Sequence, residues 1–295
     1  MRKWQFRQKT GPFGLSKDFY LTVLSSVAQQ PALIQVASPQ GEGGAVEGYI
    51  APLAPSDRDA LLRPLQRGAY VVATKDRKTV LRLLVLSKEE AGFDPAPIGR
   101  SKLAAELPRE VLDRISATWT LAQITVESHA PEPYESIRFI LRIAQRLAWL
   151  GQGVVGDPLS ETYKLPEEVF HNPQAGPLVD ARDVVAVRSR PTQDTFSAFT
   201  LGFRKFGLPE LEICLLRPEE VELAKRFLTV VSQKVLEGEL LDAGDQVGER
   251  PVFFQAATGG FDRGHWEGIP VLELIPPAEQ TTIQVLENWA RKHTP

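Results

Sequence analysis

Apolar and polar residues alternate along this chain in two rhythms, one of period two and one near 3.6, and the places where each starts and stops define its expected elements. At the start, Trp4 and Phe6 alternate with Lys3, Gln5 and Arg7, as in a half-buried strand, with a basic arm as the competing reading. Residues 31–38 and 46–51 read as strands on either side of the turn-rich stretch 39–44. Ser56, Asp57 and Asp59 supply an N-cap and acidic first turn for a helix that Gly68 closes, and Pro64 predicts a kink or an early end. Residues 69–74 and 79–87 form a hairpin pattern around the charged turn 75–78. Periodicity then fades over 89–106, where Pro95, Pro97 and Gly99 accumulate, before a short helix near 109–115.

Beyond that stretch, 118–126 alternates as a strand. Pro133 suits the first turn of a helix ending at Gly151, whose Ile137, Ile140, Leu141, Ala144, Leu147 and Ala148 make one apolar stripe. Residues 158–177 are rich in Pro, Glu and turn formers and read as a long surface excursion. Strands over 183–190, 195–203 and 210–215 precede a helix over 218–237, which Pro218, Glu219 and Glu220 open and Gly238 ends. Strands over 251–256 and 270–275 and a helix over 277–293 complete the pattern. Strands lie mostly beside strands, so the expected fold is α+β: two modules of mainly antiparallel sheet, each covered by helices on one face. The expected division is an N-terminal domain 1–88, a linker with a short helix 89–117, and a C-terminal domain 118–295.

Charge changes this picture by its position. The chain of 295 residues has 34 basic and 37 acidic side chains, a net −3 that excludes a generally basic nucleic-acid protein. Divided after Ala117, however, residues 1–117 hold 17 basic and 12 acidic side chains (+5), and 118–295 hold 17 and 25 (−8). Such a split allows a local basic surface on the first part that meets an acidic partner. The single cysteine, Cys214, excludes an intramolecular disulfide and fits a cytoplasmic setting. No apolar run is long enough to span a membrane, and no apolar stretch follows the basic start as a secretory signal requires. Two asparagines, one Met and 22 Arg to 12 Lys match a trend of heat-adapted proteins, although a G/C-rich genome gives the same arginine bias.

The run Gly151-Gln152-Gly153-Val154-Val155-Gly156 has the letters of a dinucleotide fingerprint. It follows a helix and precedes strand-like residues, the reverse of the strand-to-helix context that brings helix amides to a pyrophosphate, so capping of the helix by Gly151 is the expected role. Arg138, Arg142 and Arg146 fall at i, i+4 and i+8 on one helix face, a stripe suited to a phosphate backbone or an acidic partner, or to a solvated face. The loop 258–268 gathers Asp262, His265 and Glu267 among four glycines, the one place where a histidine has acid–base company. Glu210 and Glu212 share a strand face, either as a general acid–base pair or as solvent-facing decoration. The four histidines lack ligand spacing, no catalytic template is complete, and neither a metal nor a cofactor is expected.

The stretch Thr200-Leu201-Gly202 through Phe206-Gly207-Leu208-Pro209-Glu210-Leu211-Glu212-Ile213, with the helix after Pro218 and the segment 240–248, resembles an uncharacterised bacterial domain family over about residues 118–275. That family has no established catalytic residues, and some of its relatives look like immunity or interaction modules. The resemblance implies binding in preference to chemistry. Three expectations follow. The first is a non-enzymatic cytoplasmic module that binds a macromolecular partner, in the first place a protein. The second is a hydrolase-type enzyme using Asp262, His265, Glu267, Glu210 and Glu212. The third is contact with RNA or ribosomes through Arg2, Lys3, Arg7 and Lys9, with Trp4 and Phe6 as stacking rings.

Overall fold

The computed structural model describes residues 14–37, 49–52, 62–65, 67–74, 76–130, 133–172, 179–249, 252–260 and 264–293. The expected first strand and basic segment, the turn 39–44 and the N-cap and first turn of the helix expected from Ser56 lie outside these residues. The chain forms two compact units, Lys17–Pro177 and Leu178–Pro295 with Met1–Ser16.

The first unit is built on a seven-stranded antiparallel sheet. In chain order it contains β1 (Tyr20–Ser25), α1 (Leu33–Ala37), β2 (Tyr49–Pro52), β3 (Gly68–Ala73), β4 (Thr79–Ser87), α2 (Ala96–Gly99), α3 (Arg109–Ser116), β5 (Thr120–Ser128), α4 (Pro133–Leu150), β6 (Val154–Asp157) and β7 (Thr162–Lys164). The strand order is β2-β3-β4-β5-β1-β6-β7. β5 pairs with β4 along nine residues, Thr79↔Ser128 to Ser87↔Thr120, and with β1 on its other edge. The expected break after Ala117 is therefore corrected: the strand assigned to a second domain is the centre of the first sheet. The Pro- and Gly-containing stretch 89–106 is not a linker between domains but the folded connection between two neighbouring strands, with α2 and a 3₁₀ turn, Lys102–Ala105, in it. The excursion 158–177 leads instead to the boundary.

Residues 31–38, expected as a strand, contain α1. The Gln35 side chain accepts from the Ala32 amide (2.9 Å), Gln35 and Val36 amides donate back to the Ala32 carbonyl, and Leu33 and Val36 face inward three apart. Pro64 forms an extended bridge with Ala32 and so lies in no helix.

α4 buries the stripe that its spacing predicts, against β1, β5 and β6. On the opposite face Leu24 and Val154 pack with Val111 and Ile115 of α3, so this sheet is covered by helices on both faces near β1 rather than on one.

The second unit contains α5 (Ala181–Val184), β8 (Ala186–Pro191), β9 (Phe196–Leu201), β10 (Glu210–Leu216), α6 (Val221–Leu236), β11 (Gln246–Glu249), β12 (Val252–Thr258), β13 (Val271–Ile275) and α7 (Thr282–His293). Its six strands run β11-β12-β13-β10-β9-β8, antiparallel except for the β10/β13 pair. The proline-led 3₁₀ turn Pro218–Glu220 starts α6, where the Glu220 carboxylate accepts from the Arg217 amide (2.8 Å). α6 and α7 cover one sheet face, with Phe227 tilted against Phe254 and in edge contact with Trp289. Both units thus give the α+β class. Among the described residues, no helix is long and apolar enough to cross a membrane, and no cluster of three His, Cys, Asp or Glu is placed to hold a metal.

The boundary also removes the charge split. Lys17–Pro177 holds 17 basic and 19 acidic side chains (−2); the remainder holds 17 and 18 (−1). The +5 and −8 came from cutting one sheet in two.

Candidate functional site

The carboxylates singled out on β10 are both buried, Glu210 at 1% exposure and Glu212 at 0%, which corrects the reading of strand decoration. Glu210 receives the Thr200 hydroxyl (2.8 Å) on one oxygen and the Gly202 and Arg204 amides (2.8 and 3.2 Å) on the other. It thereby satisfies the donors opening the 3₁₀ turn Phe203–Phe206, while the Thr200 oxygen accepts from the Leu211 amide. Burial pushes the Glu210 carboxyl above the usual carboxylate range, and these donors pull it back. Lys205 is also buried, with its ammonium donating to the Val184 carbonyl. The T-L-G…F-G-L-P-E-L-E-I run is thus a folded unit of internal polar pairs.

Glu212 receives the Trp266 indole N–H (2.8 Å) and the Arg190 guanidinium (3.3 Å). Trp266 sits in a cluster with Phe199, Leu201 and Val271. A Cβ on Gly260 would lie 2.6 Å from the indole, so that glycine is required by the tryptophan's seat. The loop is therefore held by an indole–carboxylate bond. Its His265 and Glu267 are exposed, His265 lies edge-on to Phe199 and Trp266, and Asp262 lies outside the described residues. Beside Glu212 in register is Glu273 on β13. Burial raises the Glu273 carboxyl, the Cys214 thiol bond opposes this, and the Glu212 charge adds to it. The structure brings Glu212, His265 and Trp266 together, while Glu210 engages a separate set of partners. Arg138, Arg142 and Arg146 are half-buried, and Arg146 donates to the Gln35 carbonyl (3.4 Å).

A cleft of about 500 Å³ lies in the first unit, at the end of β1. One wall comes from the end of α4. The Gly153 amide donates to the Ala148 carbonyl (2.8 Å) and the Gln152 amide to that of Trp149 (3.4 Å), a Schellman closure with Gln152 at φ +49°. The left-handed residue is thus Gln152 and not Gly151, contrary to the expected cap. Gly153 passes so near β1 that a Cβ would lie 2.0 Å from the Leu24 carbonyl oxygen. This close passage accounts for a glycine in the fingerprint-like run. The Ser26 hydroxyl then donates to the Gln152 carbonyl (3.0 Å) and its amide to that of Gly151 (3.1 Å).

α3 provides the facing wall, with Glu110, Asp113 and Arg114. Arg114 donates to Glu110 (2.6 Å) and to the Gly153 carbonyl (3.2 Å), tying the two walls together. Pro166 and Glu167 complete the cleft, and Gln145 on α4 holds the Pro166 carbonyl (2.8 Å). Trp149, in the last turn of α4, is 51% exposed in the cleft. Trp119, whose amide donates to the Ser25 carbonyl (2.9 Å), is 60% exposed near the same end of β1. Sequence reasoning missed this site. Its one signal is Trp149, a tryptophan outside the apolar stripe of α4.

No protein-family model, curated protein or solved structure matches the chain.

Proposed function

We propose that this chain is a non-enzymatic interaction module whose Lys17–Pro177 unit docks a protein partner at the cleft ending β1. The observation that carries the reading is Trp149: on α4 every other residue except Glu135 is buried or half-buried, yet this large ring stands half in solvent beside a cleft. Exposed aromatic surface beside a concavity is the usual make-up of an energetic centre of protein binding. The resemblance of the 200–213 run to a family with interaction and immunity-like relatives supports the same class. So do the internal partners of Glu210 and Glu212, which give the two carboxylates structural duties. The cytoplasm is the proposed compartment.

The test is a photo-crosslinking residue at Ala117, exposed on the cleft lining, in the full chain in its native cell, with Glu135 as the control position. One protein adduct from position 117, absent from 135 and lost with Trp149→Ala, is expected. No adduct, or one that Trp149→Ala leaves intact, overturns the reading.

A further inference from the structure

We propose that the cleft receives an arginine side chain of the docking protein, an inference that rests on the interaction-module reading and specifies its chemistry. The cleft's ionised groups do not balance. Three carboxylates, Glu110, Asp113 and Glu167, face one cation, Arg114. Arg114 is already engaged by Glu110 and the Gly153 carbonyl, so its charge is matched and its donors point into the walls. Arg109 reaches Asp113 only at 3.8 Å, with both side chains largely in solvent, where such a pair contributes little. Asp113 and Glu167 therefore leave a net negative potential in the cleft, which favours a cation over a neutral or anionic group.

The other half of the lining selects among cations. The half-exposed Trp149 ring lines the cleft, with the exposed Ala117 beside it. A guanidinium is planar and weakly hydrated; it stacks on an indole while its edge N–H groups donate to carboxylates, and its three-methylene stem covers apolar wall. A lysine ammonium is more strongly hydrated and has no plane to stack. The cleft is open to solvent, and its volume of about 500 Å³ admits a single side chain.

The probe is a blocked pentapeptide with a central arginine, compared with its citrulline and lysine counterparts. The readout is the indole N–H resonance of Trp149 in the full chain, assigned with Trp149→Phe. A saturable shift with the arginine peptide is expected, about fivefold weaker with citrulline or with the Asp113→Asn/Glu167→Gln variant, and weaker again at high salt. Both substituted residues are exposed, and an unchanged amide spectrum elsewhere verifies the fold. Equal response to the citrulline peptide, no saturation, or indifference to the double variant overturns the arginine anchor. The two readings fail separately. A crosslinked partner that the double variant does not weaken, without peptide saturation, removes the arginine anchor alone; peptide saturation without a crosslinked partner removes the docking reading alone.

Discussion

Neighbouring residues of the Gly151-Gln152-Gly153 turn respond to substitution in opposite directions if the run is there for packing. Gly153 does not occupy the left-handed region, so alanine meets no backbone penalty there. The cost is contact: the new Cβ would stand 2.0 Å from the Leu24 carbonyl oxygen and 2.9 Å from its carbon. An ordinary carbon–oxygen contact is about 3.3 Å, so backbone must move by about 1 Å between β1 and the turn. Both sides are pinned, by the Leu24↔Val154 pairing, the Gly153–Ala148 bond and the Ser26–Gly151 bond. Straining these contacts places Gly153→Ala at about 3–5 kcal/mol, the range of overpacking with lost hydrogen bonds. Gln152 has φ +49°, where a side chain costs about 1 kcal/mol, so Gln152→Gly gains about 0.5–1 kcal/mol. Urea unfolding followed by amide exchange across α4 isolates the first unit from the second. An unchanged Gly153→Ala midpoint, or a lower one for Gln152→Gly, refutes the reasoning. A nucleotide-binding loop would instead lose affinity while keeping its unfolding midpoint.

Three further outcomes follow from the same structure. Trp266→Phe removes the indole donor to a carboxylate at 0% exposure and lowers second-unit stability by about 1–3 kcal/mol, with non-additivity against Glu212→Gln in a double-mutant cycle. Glu273 has a folded-state pKa above its unfolded value, so the native state binds more protons; its contribution to stability falls as pH rises from the ordinary glutamate range through the raised folded value. Glu273→Gln flattens that slope in a pH series of urea midpoints, and a variant with the wild-type slope contradicts the assignment. Trp149→Ala lowers stability by about 1–3 kcal/mol, because half of the ring is already in water, whereas it abolishes crosslinking from position 117; a loss of about 4–5 kcal/mol would make Trp149 a core residue.

Elements carried by local rhythm were legible in the sequence: the β3/β4 hairpin, α4, α6 and the strands β8 to β10 lie where spacing places them, within a few residues. What failed depended on contacts distant in sequence. β5 reads as the first strand of something new because a proline-rich stretch precedes it, yet its partners are β4 and β1, and β1 itself, Tyr20–Ser25, was not recognised. A boundary that separates β5 from β4 and β1 is what creates the charge imbalance. The β10 acids were misread for a similar reason: alternation says that Glu210 and Glu212 share a face, and antiparallel sheets often wet one face, but the loop bearing Trp266 covers this one. The cleft joins α3, the end of α4 and the turn at Pro166, three segments that no local pattern connects.

Those errors share a physical origin. Buried charge is tolerated only with hydrogen-bond partners, so a packed polar interior recruits the same Glu, Arg, Thr, Gly and Trp that an active site does. Composition alone does not separate the two; where the bonds go does. Glu210 takes donors from Thr200 on the neighbouring β9 and from the turn that follows it, and Glu212 takes the indole of the Trp266 loop and the guanidinium of Arg190 on β8. Both carboxylates thus have hydrogen-bond partners within the second unit. In the first unit Glu110 and Arg114 likewise consume one another, and that pairing leaves Asp113 and Glu167 exposed beside an indole that the helix does not bury. Trp149 stands half-exposed at the mouth of an acidic cleft, and the proposed docking is assigned to the Lys17–Pro177 unit on that ground.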